Sequence, residues 1–203
     1  MTILDQASPA LVALLEQSAT LHQHLCPRQV LGTRIGMYAA TLFGLALPQT
    51  DKRLVAFIET DGCFADGVSV ATGCWLGRRT MRLVDLGKIA VTFVDNHTER
   101  AIRLRPSVHA REVAPRYSTD AQSRWHAYLA AYQVMPDDEL LVATPVTLTL
   151  NLKALISRNG VRAVCDHCGE EIINEREVVR AGQTLCRSCA DGAYYAPVAS
   201  VNH

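Results

Sequence analysis

The chain has 203 residues, twenty basic and twenty acidic, so its formal charge is zero, and 49% of it is hydrophobic. That supports one medium domain with a small appendage, or two small domains, and it argues against a broad electrostatic grip on nucleic acid or an anionic membrane. The N-terminus lacks both a basic start and a long apolar run, which predicts neither a secretory signal nor a spanning helix and suggests a cytoplasmic setting. Seven cysteines there read as reduced thiols, metal ligands or catalytic groups rather than a disulfide frame.

Ser8-Pro9 forms a helix start, and Leu11, Leu14, Leu15, Ser18 and His22 continue at helical spacing. The stretch His22-Gln-His24-Leu-Cys26-Pro27 is the densest in chemistry. An extended backbone would point His22, His24 and Cys26 the same way, whereas a helix would align only His22 with Cys26. Pro27 disfavours the helical region for Cys26 and suits the first position of a new helix, so Cys26 should lie at a helix N-terminus that stabilises a thiolate. That second helix carries Leu31, Ile35, Tyr38 and Leu42, and its Gly32 and Gly36 fit a close helix crossing.

Leu54 to Thr60 reads as a strand ending at Asp61-Gly62, and Cys63 then opens a third helix expected to run through Trp75 and stop at Gly77. Cys74, near its end, reads as a buried small apolar residue. Met81 to Asp85, Lys88 to Val94 and Arg100 to Arg105 read as three strands whose short links predict an antiparallel meander. Thr119 to Met135 reads as a helix with Trp125, Leu129 and Tyr132 on one face, and Leu140 to about Thr149 as a strand. The fold class is α+β: an antiparallel sheet with helices packed on one face.

Asn159-Gly160 marks a boundary, giving a core domain over 1–158 and a cysteine-rich domain over 159–203. Cys165-x-x-Cys168 and Cys186-x-x-Cys189 supply four thiolates for one tetrahedral zinc ion. Between them Glu171 to Val179 and Gly182 to Leu185 read as a hairpin, and Cys186 opens a short helix, together a treble-clef-like zinc finger. Zinc is structural there, because about forty residues bury too little apolar surface to fold unaided. A rubredoxin-like iron site and two redox pairs are the alternatives. His167 faces solvent.

Taken together, His22-x-His24-x-Cys26-Pro27, Glu59-Thr-Asp61-Gly-Cys63-Phe-Ala-Asp66, Thr72-Gly-Cys74-Trp-Leu-Gly77 and Asp85-Leu-Gly87-Lys88-Ile-Ala-Val-Thr-Phe93 resemble the FmdE family of proteins associated with formylmethanofuran dehydrogenase. The resemblance covers about residues 8 to 150, and a zinc finger after the core also occurs in that family. It implies a metal-capable cleft lined by the His-Cys and Asp-Cys motifs, often in a homodimer, and a link to a molybdopterin-enzyme partner of the molybdenum or tungsten type. On that reading His22, His24, Cys26 and Cys63 are the metal ligands of the core, zinc or another transition metal. Cys26, Cys63 and Lys88 carry any chemistry, and Asp61, Asp66 and Arg28 contact a cofactor or small ligand. Lys88 pairs either with an anion in the cleft or with Asp85. The chain departs from the family in having Gln23 between the histidines and Arg28 after Cys-Pro, where glycine is usual, and Gly67 and Ser69 where alanine and glutamine are common. Three functional classes fit: an accessory or stand-alone metal-binding protein of one-carbon or molybdenum/tungsten metabolism, a free-standing metal- or thiol-dependent enzyme, and an interaction module that docks through its finger.

Overall fold

The computed structural model describes residues 7–118, 121–156, 160–196 and 198. It divides into two compact units, residues 1–149 and 150–203. The 158/159 junction expected from Asn159-Gly160 lies outside the described residues.

The first unit begins with α1 (Pro9–His22), whose N-cap Ser8 accepts a hydrogen bond from the Leu11 N–H at 3.2 Å. Helix α2 (Pro27–Phe43) starts on Pro27, with Cys26 as an extended N-cap at φ −133°, ψ 161°, as the Cys-Pro pair demands. The two helices are tied at this corner by buried Gln29. Its side-chain oxygen accepts from the Cys26 N–H at 2.8 Å, and its nitrogen donates to the Ser18 carbonyl and hydroxyl, both at 3.0 Å.

Strand β1 (Leu54–Ile58) leads into α3 (Cys63–Thr72) and then β2 (Met81–Leu83). Helix α3 stops at Thr72 rather than running on to Gly77, because Gly73 turns left-handed and its N–H closes on the Ser69 carbonyl at 2.8 Å. Cys74 is fully buried beyond that cap, with its sulfur 3.4 Å from the Leu54 carbonyl and 3.3 Å from the Gln49 side-chain nitrogen. Burial pushes its thiol up to about 11. It is a packing residue, as its sequence context indicated.

Strands β3 (Val91–Asp95) and β4 (Ala101–Pro106) follow, then α4 (Ala110–Val113), a 3₁₀ turn over Ala114–Tyr117, α5 (Arg124–Val134), α6 (Asp137–Leu140) and β5 (Leu141–Val146). The five strands are ordered β2-β1-β3-β4-β5, antiparallel except for the parallel β1–β2 pair. This corrects the expected meander. The crossover through α3 lays β2 parallel beside β1, and β3 therefore pairs with the other edge of β1 rather than with β2.

Cross-strand neighbours Ala56, Phe93 and Ile102, and Ile58, Val91 and Leu104, share one side of the sheet. They join Leu11, Leu15, Val30, Ile35, Phe64 and Val68 of the helices in a single core. Helices α2 and α3 cross through glycine. A Cβ on Gly32 would stand 2.3 Å from the Phe64 carbonyl oxygen, and one on Gly67 2.3 Å from the Gln29 carbonyl oxygen. Gly67 is thus explained by contact with α2 backbone that leaves no room for the alanine common elsewhere.

The second unit contains α7 (Leu152–Ile156), a hairpin of β6 (Arg162–Val164) and β7 (Glu171–Ile173), a second hairpin of β8 (Val178–Arg180) and β9 (Gln183–Leu185), and α8 (Arg187–Asp191). The β8–β9 turn is Ala181-Gly182, both at positive φ, as the sequence indicated. Glu171–Ile173 departs from the expected single long arm. It pairs with β6, and the left-handed residues Asn174 and Glu175 break the strand before β8.

Because the glycine contacts are with backbone, which cannot rotate away, Gly32→Ala and Gly67→Ala should each lower stability by about 3 kcal/mol. Chemical denaturation followed by helical circular dichroism checks this; a loss no larger than at an exposed helical site would contradict the tight crossing.

Candidate functional site: a two-thiol cavity and a four-cysteine cluster

Two helix N-termini meet at the head of the crossing. Cys26 caps α2 and Cys63 opens α3. Gly62, the residue before Cys63, sits at φ 76°, ψ −158°, a conformation open essentially to glycine alone, which lets β1 turn directly into α3. The Cys63 thiol is held up at about 11 by burial first and then by its hydrogen bond to Cys26, while the Arg28 cation acts in the opposite direction. In this arrangement Cys63 is a protonated thiol at neutral pH, not the thiolate that a helix N-terminus alone would favour.

The two thiols open onto a cavity of about 700 Å³. His24, Arg28 and Lys88 line it too, so five of the sequence-picked site residues share one space. His22 is placed differently. It is the last residue of α1, and its Nδ1 lies 2.8 Å from an Asp66 carboxylate oxygen, so Asp66 orients this imidazole. Asp61 is exposed and away from the cavity lining. The chain between the histidines is neither wholly helical nor wholly extended. Gln23 is left-handed at φ 64°, which swings His24 off the helix axis to leave the two rings 4.6 Å apart. This conformation accounts for the glycine usual at that position, and Gln23 occupies it at a steric cost.

The far wall of the cavity is made of residues that sequence reasoning did not assign to it: Arg103 and Arg105 from β4, Arg111 from α4, and Trp125, Tyr128 and Tyr132 from α5. The sequence places Trp125, Leu129 and Tyr132 on one helix face. Trp125 in fact remains 45% exposed. Arg103 is clamped by Glu59 through two contacts of 2.6 Å, and Tyr132 shares a hydrogen bond with Arg111. The α5 wall is anchored to α2 by Arg34, which donates to the carbonyls of Tyr132 and Met135 and to the Asp137 carboxylate, each at 2.7 Å.

The second cluster lies wholly in residues 150–203. The sulfurs of Cys165, Cys168, Cys186 and Cys189 all fall within 4.8 Å of one another. Cys168 and Cys186 are 3.9 Å apart, close to the roughly 3.8 Å edge that a tetrahedron with zinc–sulfur bonds of about 2.3 Å would have. Backbone N–H groups of residues 168 and 186 hold Cys165 down to about 6, whereas the crowding by Cys186 and the other sulfurs pushes Cys189 up to about 12. A cation amid the four would allow all of them to ionise. His167 is exposed, with Nδ1 3.5 Å from the Cys189 sulfur, beside the cluster rather than within it. Among the described residues this is the only group of three or more His, Cys, Asp or Glu ligand atoms so closely gathered, so no three of the front-end side chains converge to that degree.

The family model FmdE, described as "Molybdenum formylmethanofuran dehydrogenase operon", matches residues 21–142, more than half of the chain. The chain belongs to the FmdE family. A "Probable S-adenosyl-L-methionine-binding protein" of Archaeoglobus fulgidus is 27% identical over 220 aligned positions that cover 96% of this chain. They cover 57% of that protein, so this FmdE chain spans a little over half the length of the curated relative it matches. The crystal structure of a tungsten formylmethanofuran dehydrogenase FmdE-like protein from Syntrophus aciditrophicus superposes with a TM-score of 0.57 at 21% identity. That similarity covers 92% of this chain and 95% of the other, and it shows a common fold. The FmdE match and the four-cysteine cluster together make this a metal-binding type of FmdE protein. Among the described residues no helix is long and apolar enough to cross a membrane.

A strong chelator, or Cys165→Ala, should abolish ordered amide signals over residues 160–196 and leave those of the core in place, as seen by two-dimensional NMR. Gln23→Gly should raise the stability of the core by roughly 0.5–1 kcal/mol, because glycine enters the left-handed region without a Cβ clash; thermal denaturation reads it directly.

Proposed function

We propose that this FmdE protein is an accessory or stand-alone factor of one-carbon or molybdenum/tungsten metabolism. Its core cavity presents Cys26 and Cys63 to a metal ion or small ligand, and its tail cysteines hold zinc for structure alone, in a treble-clef-like finger. The observation that carries this reading is the meeting of two thiols and an imidazole, His24, in one cavity at the head of a helix crossing. Two thiols and an exposed imidazole lining the same cavity are donors suited to zinc and other late transition metals. Cys26, Cys63 and His24 are the residues that would hold such an ion, drawn closer together than they lie in this structure, with His22 oriented behind them by Asp66. Once bound it would supply Lewis-acid polarisation of a carbonyl.

The name of the archaeal relative offers S-adenosyl-L-methionine as another occupant. The charge of the cavity disfavours it. That molecule carries net positive charge through its sulfonium and ammonium groups, and the described lining contains basic residues but no carboxylate. A ligand of negative charge fits better; a metal ion would be admitted only through thiols that ionise as it binds.

As in the family, the protein works as a homodimer and meets a molybdopterin enzyme as partner; copurification with such an enzyme is the supporting result. Elemental analysis of the purified full chain should give two metal ions, one lost in Cys165→Ala and the other, independently, in Cys26→Ser. A single ion lost only with Cys165→Ala would overturn the core metal and leave the cavity as an organic-ligand site.

A further inference from the structure

The chain is neutral as a whole, yet its main cavity is not. Arg28, Lys88, Arg103, Arg105 and Arg111 all line it, and no aspartate or glutamate does. Only Arg103 is neutralised nearby, by the paired carboxylate of Glu59. Arg105 donates to its neighbouring carbonyl of Pro106 at 2.9 Å, and Arg111 meets the Tyr132 hydroxyl; neither contact removes charge. Among the described residues no carboxylate pairs with Arg28, Lys88, Arg105 or Arg111. Like charges are thus gathered around one concave space with partly apolar walls, where their fields add and water screens them least. The N-termini of α2 and α3 open onto the same space and add positive potential.

The α5 part of the far wall adds a different chemistry. Trp125, Tyr128 and Tyr132 project from one side of α5, and the two tyrosine rings lie parallel within 4° at 5.7 Å between centroids. The two tyrosines thus stack on each other and Tyr132 is buried, so the ring left open to a flat conjugated partner is that of half-exposed Trp125, with Tyr128 beside it. A volume of about 700 Å³ falls in the range of organic cofactor and substrate pockets, about 300–1,000 Å³, and is several times what a lone inorganic oxyanion would fill.

We propose that the cavity binds an organic anion with a flat aromatic or conjugated ring, its carboxylate or phosphate held by Lys88, Arg28 and Arg111 and its ring lying against the α5 aromatics. This deepens, and rests on, the reading of the cavity as a ligand site, but it does not require a metal at the thiols.

The test uses the full chain and two fluorescent probes that share one arylamine ring system: anionic 8-anilinonaphthalene-1-sulfonate and neutral N-phenyl-1-naphthylamine. The sulfonate should bind at least tenfold more tightly than the neutral probe and weaken with added salt. Lys88→Gln with Arg111→Gln should weaken the sulfonate about tenfold and leave the neutral probe within twofold. These side chains are largely at the surface, and the unchanged neutral probe doubles as the check on folding. Trp125→Ala should weaken both probes. Displacement by 2-naphthoate and by 2-naphthyl phosphate then separates a carboxylate from a phosphate ligand, according to which competes at the lower concentration. Equal binding of the two probes, or sulfonate binding that the charge variants leave unchanged, would overturn the proposal, as would failure of all three anions to bind. Cys26→Ser separates the two readings: it should remove the core metal while retaining the sulfonate, so loss of one result leaves the other standing.

Discussion

The contact on which the core depends is the backbone-to-backbone crossing of α2 and α3. Gly32 rests on the carbonyl of Phe64 and Gly67 on that of Gln29, so each helix offers the other a surface without side chains. A crossing this close brings the first turns of both helices together, and both first turns carry a cysteine. The chemistry at the head of the crossing is therefore a product of packing several residues further along. It also shapes the protonation of Cys63, since burial and the neighbouring Cys26 thiol raise the cost of ionising it. The helix-dipole argument alone, which favours thiolates at both positions, gives the wrong state for Cys63 because burial and the neighbouring thiol outweigh it.

Much of this was legible in residue order. Cys-Pro marked the α1–α2 corner because proline acts locally, through its ring, on the residue before it. Asp61-Gly62-Cys63 marked a strand-to-helix turn for an equally local reason. The two Cys-x-x-Cys pairs announced a four-thiolate cluster, since knuckle geometry is set within a few residues. The position of β2 was not legible. Short links suggested successive hairpins, whereas the register is decided by the α3 crossover that inserts β1 between β2 and β3. The far wall was missed for a similar reason. Arg105, Arg111 and Tyr128 are remote from Cys26 in the chain, and helical spacing in α5 cannot distinguish a face buried in a core from one bordering a cavity. Gln23 was the least legible of the corner residues: nothing in a glutamine announces a left-handed backbone, yet that turn separates the placements of His22 and His24.

The two units are held by different physics. Residues 1–149 have a continuous apolar core built from sheet and helices. The tail offers few buried apolar side chains, Ile172 among them, and its order rests on what the four sulfurs share. Stability of one unit is therefore a poor guide to that of the other.

The Arg34 fork has a mechanical consequence. One guanidinium on α2 grips two carbonyls at the C-terminal end of α5 and a carboxylate at the start of α6, so the aromatic side of the cavity is braced by the helix whose first turn bears a thiol. Hinging α5 outward would break all three grips at once. The volume inside is thus set by a strut rather than by the play of a loose helix.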